Sequence, residues 1–378
     1  MLAIPSAARP LGAFAIATAV PGAPVATLEL AAALGEWLSD GLKAQLLQLG
    51  VRQRHSFIED LPRYLAGRAP RRLTTTSTGL AEQAAGACLD AADAGREAIG
   101  LVITATNAAD RPVPCLGYEL MARLAGRLRR DANVVNMQNQ GCSALLKALD
   151  IARSHVAAHP RQLVLVVVTE GPTGLMRPKE PRMHYSFQEL ARSGGGATRP
   201  TEDMVGAFLF GDGAVALLLG RPGPGAKFAF GPMTHLSNLE PGDLELLTMN
   251  EGGILNPEYA GFPYYRLSPQ VPERGAACVR RCWDALAALE GARAPRPAFA
   301  CIHTGSRKIL DGVCDELGFE RAGAGTASSY ATLQDFGNMS SCSIGFMLAD
   351  HLRRGTRGTG AMLAFGAGFS ASAGSVRF

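Results

Sequence analysis

The sequence predicts an α/β fold layered around a central, largely parallel sheet, on two observations. Short apolar runs bounded by turn residues, such as 99–106 and 163–168, have the pattern of strands buried on both faces. Between them lie amphipathic stretches of helical period. In residues 142–156, Leu145, Leu149, Ala152 and Val156 share one stripe, while Lys147, Asp150 and Ser154 lie opposite. Strand and helix alternate along most of the chain, as in layered α/β proteins. A chain of 378 residues, 47% hydrophobic with mean hydropathy +0.08, suffices for one large domain or two of ordinary size.

In chain order, strand 14–20 closes at Pro21-Gly22, and an amphipathic helix follows over about 27–49. The next segment is charged and turn-like; in it Arg52 and Arg54 are candidates to meet an anionic ligand, the alternative being plain surface charge. Helix 80–94 leads to strand 99–106, and helix 116–128 to a strand from 133. The helix from 142 leads to strand 163–168. Residues 177–203 carry three prolines and a triple glycine, and predict a surface loop or flap with a helical turn. The run 204–220 predicts two strands joined by an Asp-Gly hairpin at Gly211-Asp212-Gly213. Beyond it come strand 227–230, an irregular stretch to about 270, helix 272–289, strand 298–302 and helix 308–317. A turn feeding a helix and two closing strands complete the chain. Each half repeats a similar order, so we expect a duplicated unit divided as 1–222 and 223–378.

Composition excludes several classes. The net charge is +4, basic residues are scattered and aromatics make up 6%, so no nucleic-acid partner is expected. Eight cysteines form no CxxC pair. Cys278 and Cys282 are at helical spacing without a nearby histidine, so no metal site is expected and the thiols read as reduced. The early apolar run lacks a basic leader and ends in Pro-Gly, as a strand does. No stretch reaches membrane-spanning length, and a cytoplasmic location is expected.

Three positions carry the candidate chemistry. Cys142 opens a helix, where unpaired N–H groups and the positive end of the dipole favour thiolate, and Gly141 admits a close backbone approach. The competing reading is a small buried hydrophobe, the common state of free cysteine. His303 follows a strand and precedes Gly305; Asn338 precedes a helix and suits an N-cap equally. The set Cys/His/Asn also serves papain-like proteases, but the Cys-Gly-Ser/Ala-Cys signature is missing around Cys142.

The segments QGCSA (140–144), MVGAFLFGDGAVALLLG (204–220), IHTGSRKIL (302–310), FGNMSSCSIGFML (336–348) and FGAGFSASAG (365–374) together resemble the thiolase-fold condensing enzymes. Within these the resemblance is to type III polyketide synthases and ketoacyl-(acyl carrier protein) synthase III, over essentially the whole chain. It implies a thiolase-like five-layered αβαβα fold from two similar halves, in a homodimer. It implies that Cys142 takes an acyl group from a thioester, with His303 and Asn338 binding the thioester carbonyl of malonyl-CoA through decarboxylation. The glycine loop holding Gly366, Gly368 and Phe369 would help form the oxyanion site. Gly305, Arg52 and Arg54 complete the candidate set for binding the CoA thioesters. These serve as substrates, and no resident cofactor is implied. Leu145-Leu146 after the cysteine resembles synthase III, whereas GNMSS and HTG resemble type III enzymes. Degradative thiolases place a second cysteine in the last glycine loop, and FGAGF has none. The expected activity is decarboxylative condensation building a polyketide. The alternatives are a single condensation, with acyl carrier protein as a donor, or a non-catalytic subunit of a condensing heterodimer.

Overall fold

The computed structural model describes residues 10–92, 96–178, 199–237, 240–249, 265–291 and 297–378. Its strands are β1 (Leu11–Ala19), β2 (Val25–Ala26), β3 (Gln53–Arg54), β4 (Ile99–Thr106), β5 (Asn133–Gln138), β6 (Leu163–Glu170) and β7 (Gly213–Gly220). They continue with β8 (Phe228–Ser237), β9 (Leu247–Met249), β10 (Tyr265–Leu267), β11 (Phe299–Ile302), β12 (Thr359–Gly366) and β13 (Ser370–Arg377). Nine form one sheet ordered β11-β12-β13-β8-β1-β7-β6-β4-β5.

That order is nearly palindromic about the β1–β8 contact. β1–β7, β7–β6 and parallel β6–β4 are mirrored by β8–β13, β13–β12 and parallel β12–β11. The first set carries β5 as an additional edge strand. The two sets meet through three residue pairs, Leu11–Phe230, Gly12–Ala229 and Ala13–Phe228.

Strand alternation explains the layers. Val164, Val166 and Val168 face inward together with Met362 and Ala364, around the helices Ala144–Ala158 and Ser343–Arg353. Leu165 and Val167 face the other way, onto the helices Ser77–Ala92 and Leu116–Arg123. Leu363 and Phe365 likewise face Val271–Glu290 and Arg307–Leu317. Helix, sheet, paired helices, sheet, helix: the five-layered αβαβα fold is present. Both inner helices touch strands of both sets, so the central layer belongs to neither alone. Strands buried on both faces account for the unbroken apolar runs in the sequence.

Three expectations need correction. The sheet expected to be largely parallel is mainly antiparallel: of its eight strand pairings β4–β5, β4–β6 and β11–β12 are parallel, while the five that involve β1, β7, β8 and β13 run antiparallel. The stretch expected as a strand before the Asp-Gly turn is the helix Arg199–Leu209, and no hairpin forms at Gly211-Asp212-Gly213. Met204, Ala207 and Phe208 are buried at i, i+3 and i+4, a helical stripe that the local density of apolar residues disguised. The helix expected over 27–49 is broken into Thr27–Leu34 and Asp40–Leu47, because the Ser39 hydroxyl accepts from Leu42 N and caps a second start. Most of the loop expected at 177–203, and much of the irregular stretch before 270, lie outside the described residues.

Candidate active site

The nucleophile segment runs from β5 through a short 3-10 turn, Gly141–Ser143, into the helix Ala144–Ala158. The asparagine segment repeats this construction, with a 3-10 turn at Ser340–Cys342 feeding Ser343–Arg353. Both turns lie at the same end of the central layer, and His303 joins them as the residue after β11. Asn338 is held from the backbone, donating its N–H to Leu209 O at 2.9 Å and accepting from Gly211 N at 3.2 Å. The FGDG and GNMSS segments are therefore bonded to each other.

Ser340 is where the three predicted residues meet. Its Oγ donates to Cys142 Sγ at 3.4 Å, and its N–H donates to Asn338 Oδ1 at 2.8 Å. The His303 imidazole also hydrogen-bonds to the Ser340 backbone, a contact that favours its protonated form. Ser340 has φ +47°, an unusual backbone for a non-glycine residue, and the Asn338 carboxamide pins it there. Asn338 Nδ2 points back to Gly305 O at 3.4 Å, so the Gly305 turn sets the amide's direction.

Electrostatics set the resting protonation. Cys142 is half-buried, and burial pushes its thiol up to about 12; the Ser340 hydrogen bond acts the other way, while the Glu170 charge adds to the rise. The helix-start position is expected to favour thiolate, but here desolvation outweighs it. Burial lowers His303 to about 4, partly offset by the Ser340 backbone, so the imidazole is neutral at pH 7. His303 is 3% exposed, and its Nδ1 has no partner among the described residues.

The glycine loop touches the nucleophile directly. A Cβ on Gly366 would lie 2.2 Å from Cys142 N, and one on Gly141 would lie 2.6 Å from Ala367 N. The two backbones approach as closely as they do because both residues lack side chains. Phe369 turns inward against Phe365, which in turn meets His303 edge-on at 6.5 Å. Gly368 is exposed on the outside of the loop.

The two arginines separate. Arg52 is on the surface, paired with Asp335. Arg54 is fully buried; its Nη2 donates to Thr27 Oγ1 at 2.7 Å and to Phe208 O at 2.9 Å. Burial pulls its guanidinium down to about 9. Arg54 therefore cannot greet an anion at the entrance; it ties β3 to the helix Arg199–Leu209.

Sequence reasoning missed Asn107, Glu170 and Ser340. Asn107 follows β4 and Glu170 ends β6, both at the carboxyl ends of parallel strands, where such sheets place ligands. The acid closing the otherwise apolar LVLVVVTE was the available signal. Glu170 is 1% exposed and accepts from Asn107 N at 3.0 Å, Asn107 Nδ2 at 2.7 Å and Ser341 Oγ. Burial still raises it to about 7.

Five layers of this order, with the nucleophile turn and its counterpart abutting in the middle, are the arrangement of the thiolase fold. The chain is similar to both type III polyketide synthases and ketoacyl-(acyl carrier protein) synthase III. Residues 297–378 match the family described as 3-Oxoacyl-[acyl-carrier-protein (ACP)] synthase III C terminal. The chain is 27% identical over 219 residues to the 3,5-dihydroxyphenylacetyl-CoA synthase of Streptomyces toyocaensis, covering 57% of this chain and 50% of that one. It is 28% identical over 249 residues to the alpha-pyrone synthesis polyketide synthase-like Pks18 of Mycobacterium tuberculosis, covering 62% and 54%. Each alignment thus spans about half the length of the relative. Among solved structures, the type III polyketide synthase domain of Steely1 from Dictyostelium superposes with a TM-score of 0.78 at 20% identity, over 98% of this chain and 99% of that one. The 3-oxoacyl-(acyl carrier protein) synthase III of Pseudomonas aeruginosa gives 0.72 at 23% identity, over 98% of each.

Proposed function

We propose that this chain catalyses decarboxylative Claisen condensation, extending an acyl group held on Cys142 with malonyl-CoA to build a polyketide. The observation that carries the reading is the convergence of Cys142, His303 and Asn338 on Ser340, at the end of the layer between the two strand sets. The similarity to the polyketide synthase-like Pks18 supports it from the sequence side.

In this reading Cys142 Sγ attacks the acyl thioester, its proton passing to the neutral His303, and CoA leaves as the thiol once that proton is returned. N–H groups around Cys142 and the 366–369 loop hold the oxyanion. Malonyl-CoA then replaces CoA. Its carboxylate departs as carbon dioxide, and the electron pair moves onto the thioester oxygen, where His303 and Asn338 Nδ2 donate to it. The enolate carbon attacks the acyl carbonyl, a C–C bond forms, and the Cys142 thiolate leaves. Neutral donors in a dry pocket stabilise the enolate without a competing proton source. CoA thioesters are substrates here, and the steps call for no resident cofactor.

A second reading, one condensation per product with an acyl group delivered on acyl carrier protein, is favoured by the synthase III match over residues 297–378. Arg52, on the surface, is the candidate that remains for an anionic carrier or CoA. A homodimer belongs to either reading: β5 sits at the sheet edge, and its Val134, Val135 and Met137 are only part-buried. Among the described residues no helix is long and apolar enough to cross a membrane.

The deciding experiment is intact-protein and peptide mass after mixing with a panel of acyl-CoAs, followed by malonyl-CoA and product analysis. Acyl mass on Cys142 with several C2 units in the product is the expected result. A single C2 unit selects the second reading. No loading from either CoA or carrier-bound donors overturns both.

A further inference from the structure

The site holds a chain of hydrogen bonds with a definite direction that the condensation scheme above does not use. We propose that Asn107 and Glu170 are positioning residues that aim the Ser340 hydroxyl proton at Cys142 Sγ, so that Ser340 governs how readily the nucleophile ionises. The inference rests on Cys142 being the acyl-accepting thiol.

The direction follows from the donors and acceptors around Asn107. Its Oδ1 accepts from Gly141 N at 3.0 Å. Its Nδ2 lies 2.7 Å from Glu170 Oε1, 3.1 Å from Ser340 Oγ and 3.3 Å from Gly141 O. Turning the amide over would set its oxygen against a carboxylate and a carbonyl, and its NH2 against a backbone N–H. The neighbours therefore fix one orientation. Glu170 is itself held by Asn107 N and Ser341 Oγ, so the anchor does not swing.

With Asn107 donating to Ser340 Oγ, a lone pair of that oxygen is engaged, and its own proton is directed to the acceptor on its other side. That acceptor is Cys142 Sγ, at 3.4 Å. The backbone of Ser340 cannot rotate to relieve the contact, because Asn338 Oδ1 holds its N–H at φ +47°. A hydroxyl donor binds a thiolate more strongly than a thiol, so it favours ionisation. It acts twice per cycle: when Cys142 attacks the thioester, and when the thiolate departs in the condensation step. The network crosses the molecule, since Asn107 and Glu170 end strands of the first set while Ser340 and Ser341 belong to the asparagine segment.

The test reads the thiol without substrate. Cys142 alkylation by iodoacetamide is followed by peptide mass at a series of pH values below the thiol's midpoint, where rate tracks thiolate fraction. S340A is expected to alkylate about tenfold more slowly at each pH, a displacement of roughly one pH unit. N107L is expected to slow it similarly, and the double variant to be no slower than S340A, because Asn107 acts through Ser340. N107D keeps an acceptor for Gly141 N–H and replaces N107L in the same cycle if near-UV circular dichroism shows that N107L fails to fold. An unchanged rate in S340A, or additive slowing in the double variant, overturns the inference. Such a result beside normal acyl loading leaves the proposed function standing. The expected alkylation pattern in an enzyme that accepts no acyl group overturns the function and keeps the positioning of the thiol.

Discussion

At the scale of single residues, Cys142 is under opposed influences. Burial and the Glu170 carboxylate hold its proton on, while the Ser340 hydroxyl draws it off. With the thiol near 12 and His303 near 4, the resting pair at pH 7 is neutral thiol and neutral imidazole, not an ion pair. Alkylation of the wild-type thiol is therefore expected to rise about tenfold per pH unit through neutrality with no plateau there; a plateau near pH 7 would show a preformed thiolate. Asn338 is expected to matter chiefly after acyl transfer, and His303 in both steps, because it also takes the Cys142 proton. N338A should still load acyl groups from CoA and H303A should load them more slowly, and both should lose malonyl decarboxylation by about a hundred- to a thousandfold, measured as carbon dioxide release from labelled malonyl-CoA. These three residues were legible in the sequence because each stands in a short motif beside a turn. Asn107, Glu170 and Ser340 were not, because their role depends on pairings across 63 to 233 residues that no local pattern records.

At the scale of elements, the glycine loop and the FGDG segment show why motif and structure can diverge. Gly366 was read as part of an oxyanion loop, and the structure gives the reason it must be glycine: a methyl there would strike Cys142 N. G366A is expected to abolish acyl loading while leaving the circular dichroism of the sheet near wild type. The FGDG segment reads locally as a hairpin turn, yet Asp212 is a buried tie. Its carboxylate accepts from Phe57 N at 2.6 Å, Thr173 N at 3.0 Å and Thr173 Oγ1, fastening two loops beside the site. Turn propensity lost to tertiary hydrogen bonding, just as apolar density hid the stripe of Met204, Ala207 and Phe208. D212A strands those donors without an acceptor, each costing about 1–3 kcal/mol, and is expected to lower the thermal midpoint by several degrees. Strands such as β4 and β6 were legible almost to the residue because burial on both faces leaves an unbroken apolar run.

At the scale of the whole molecule, two buried carboxylates give stability a pH dependence. Glu170 and Asp212 are both raised to about 7 by burial, from ordinary values of 4.5 and 3.8. The folded protein therefore keeps these protons at pH values where the unfolded chain has lost them. Their contribution is full below about pH 4 and is lost as pH rises through about 7. The thermal midpoint is expected to fall over that interval by scanning calorimetry, less steeply in D212N; an equally steep fall in D212N would exclude Asp212 as a source. The near-palindromic strand order has a consequence for how the protein is made. Translation delivers the β1–β7 set, with Cys142 and its helix, well before Ser340, His303 or the 366–369 loop exists. The inner helix meanwhile lacks the second strand set that covers it. A nascent chain paused at that stage presents a bare thiol on an unsealed apolar surface, with neither carbonyl donors nor the hydroxyl at 3.4 Å. If the proposed function holds, condensation is thus withheld until residues 303–369 have emerged, and chaperone demand should peak while the second strand set is still being made.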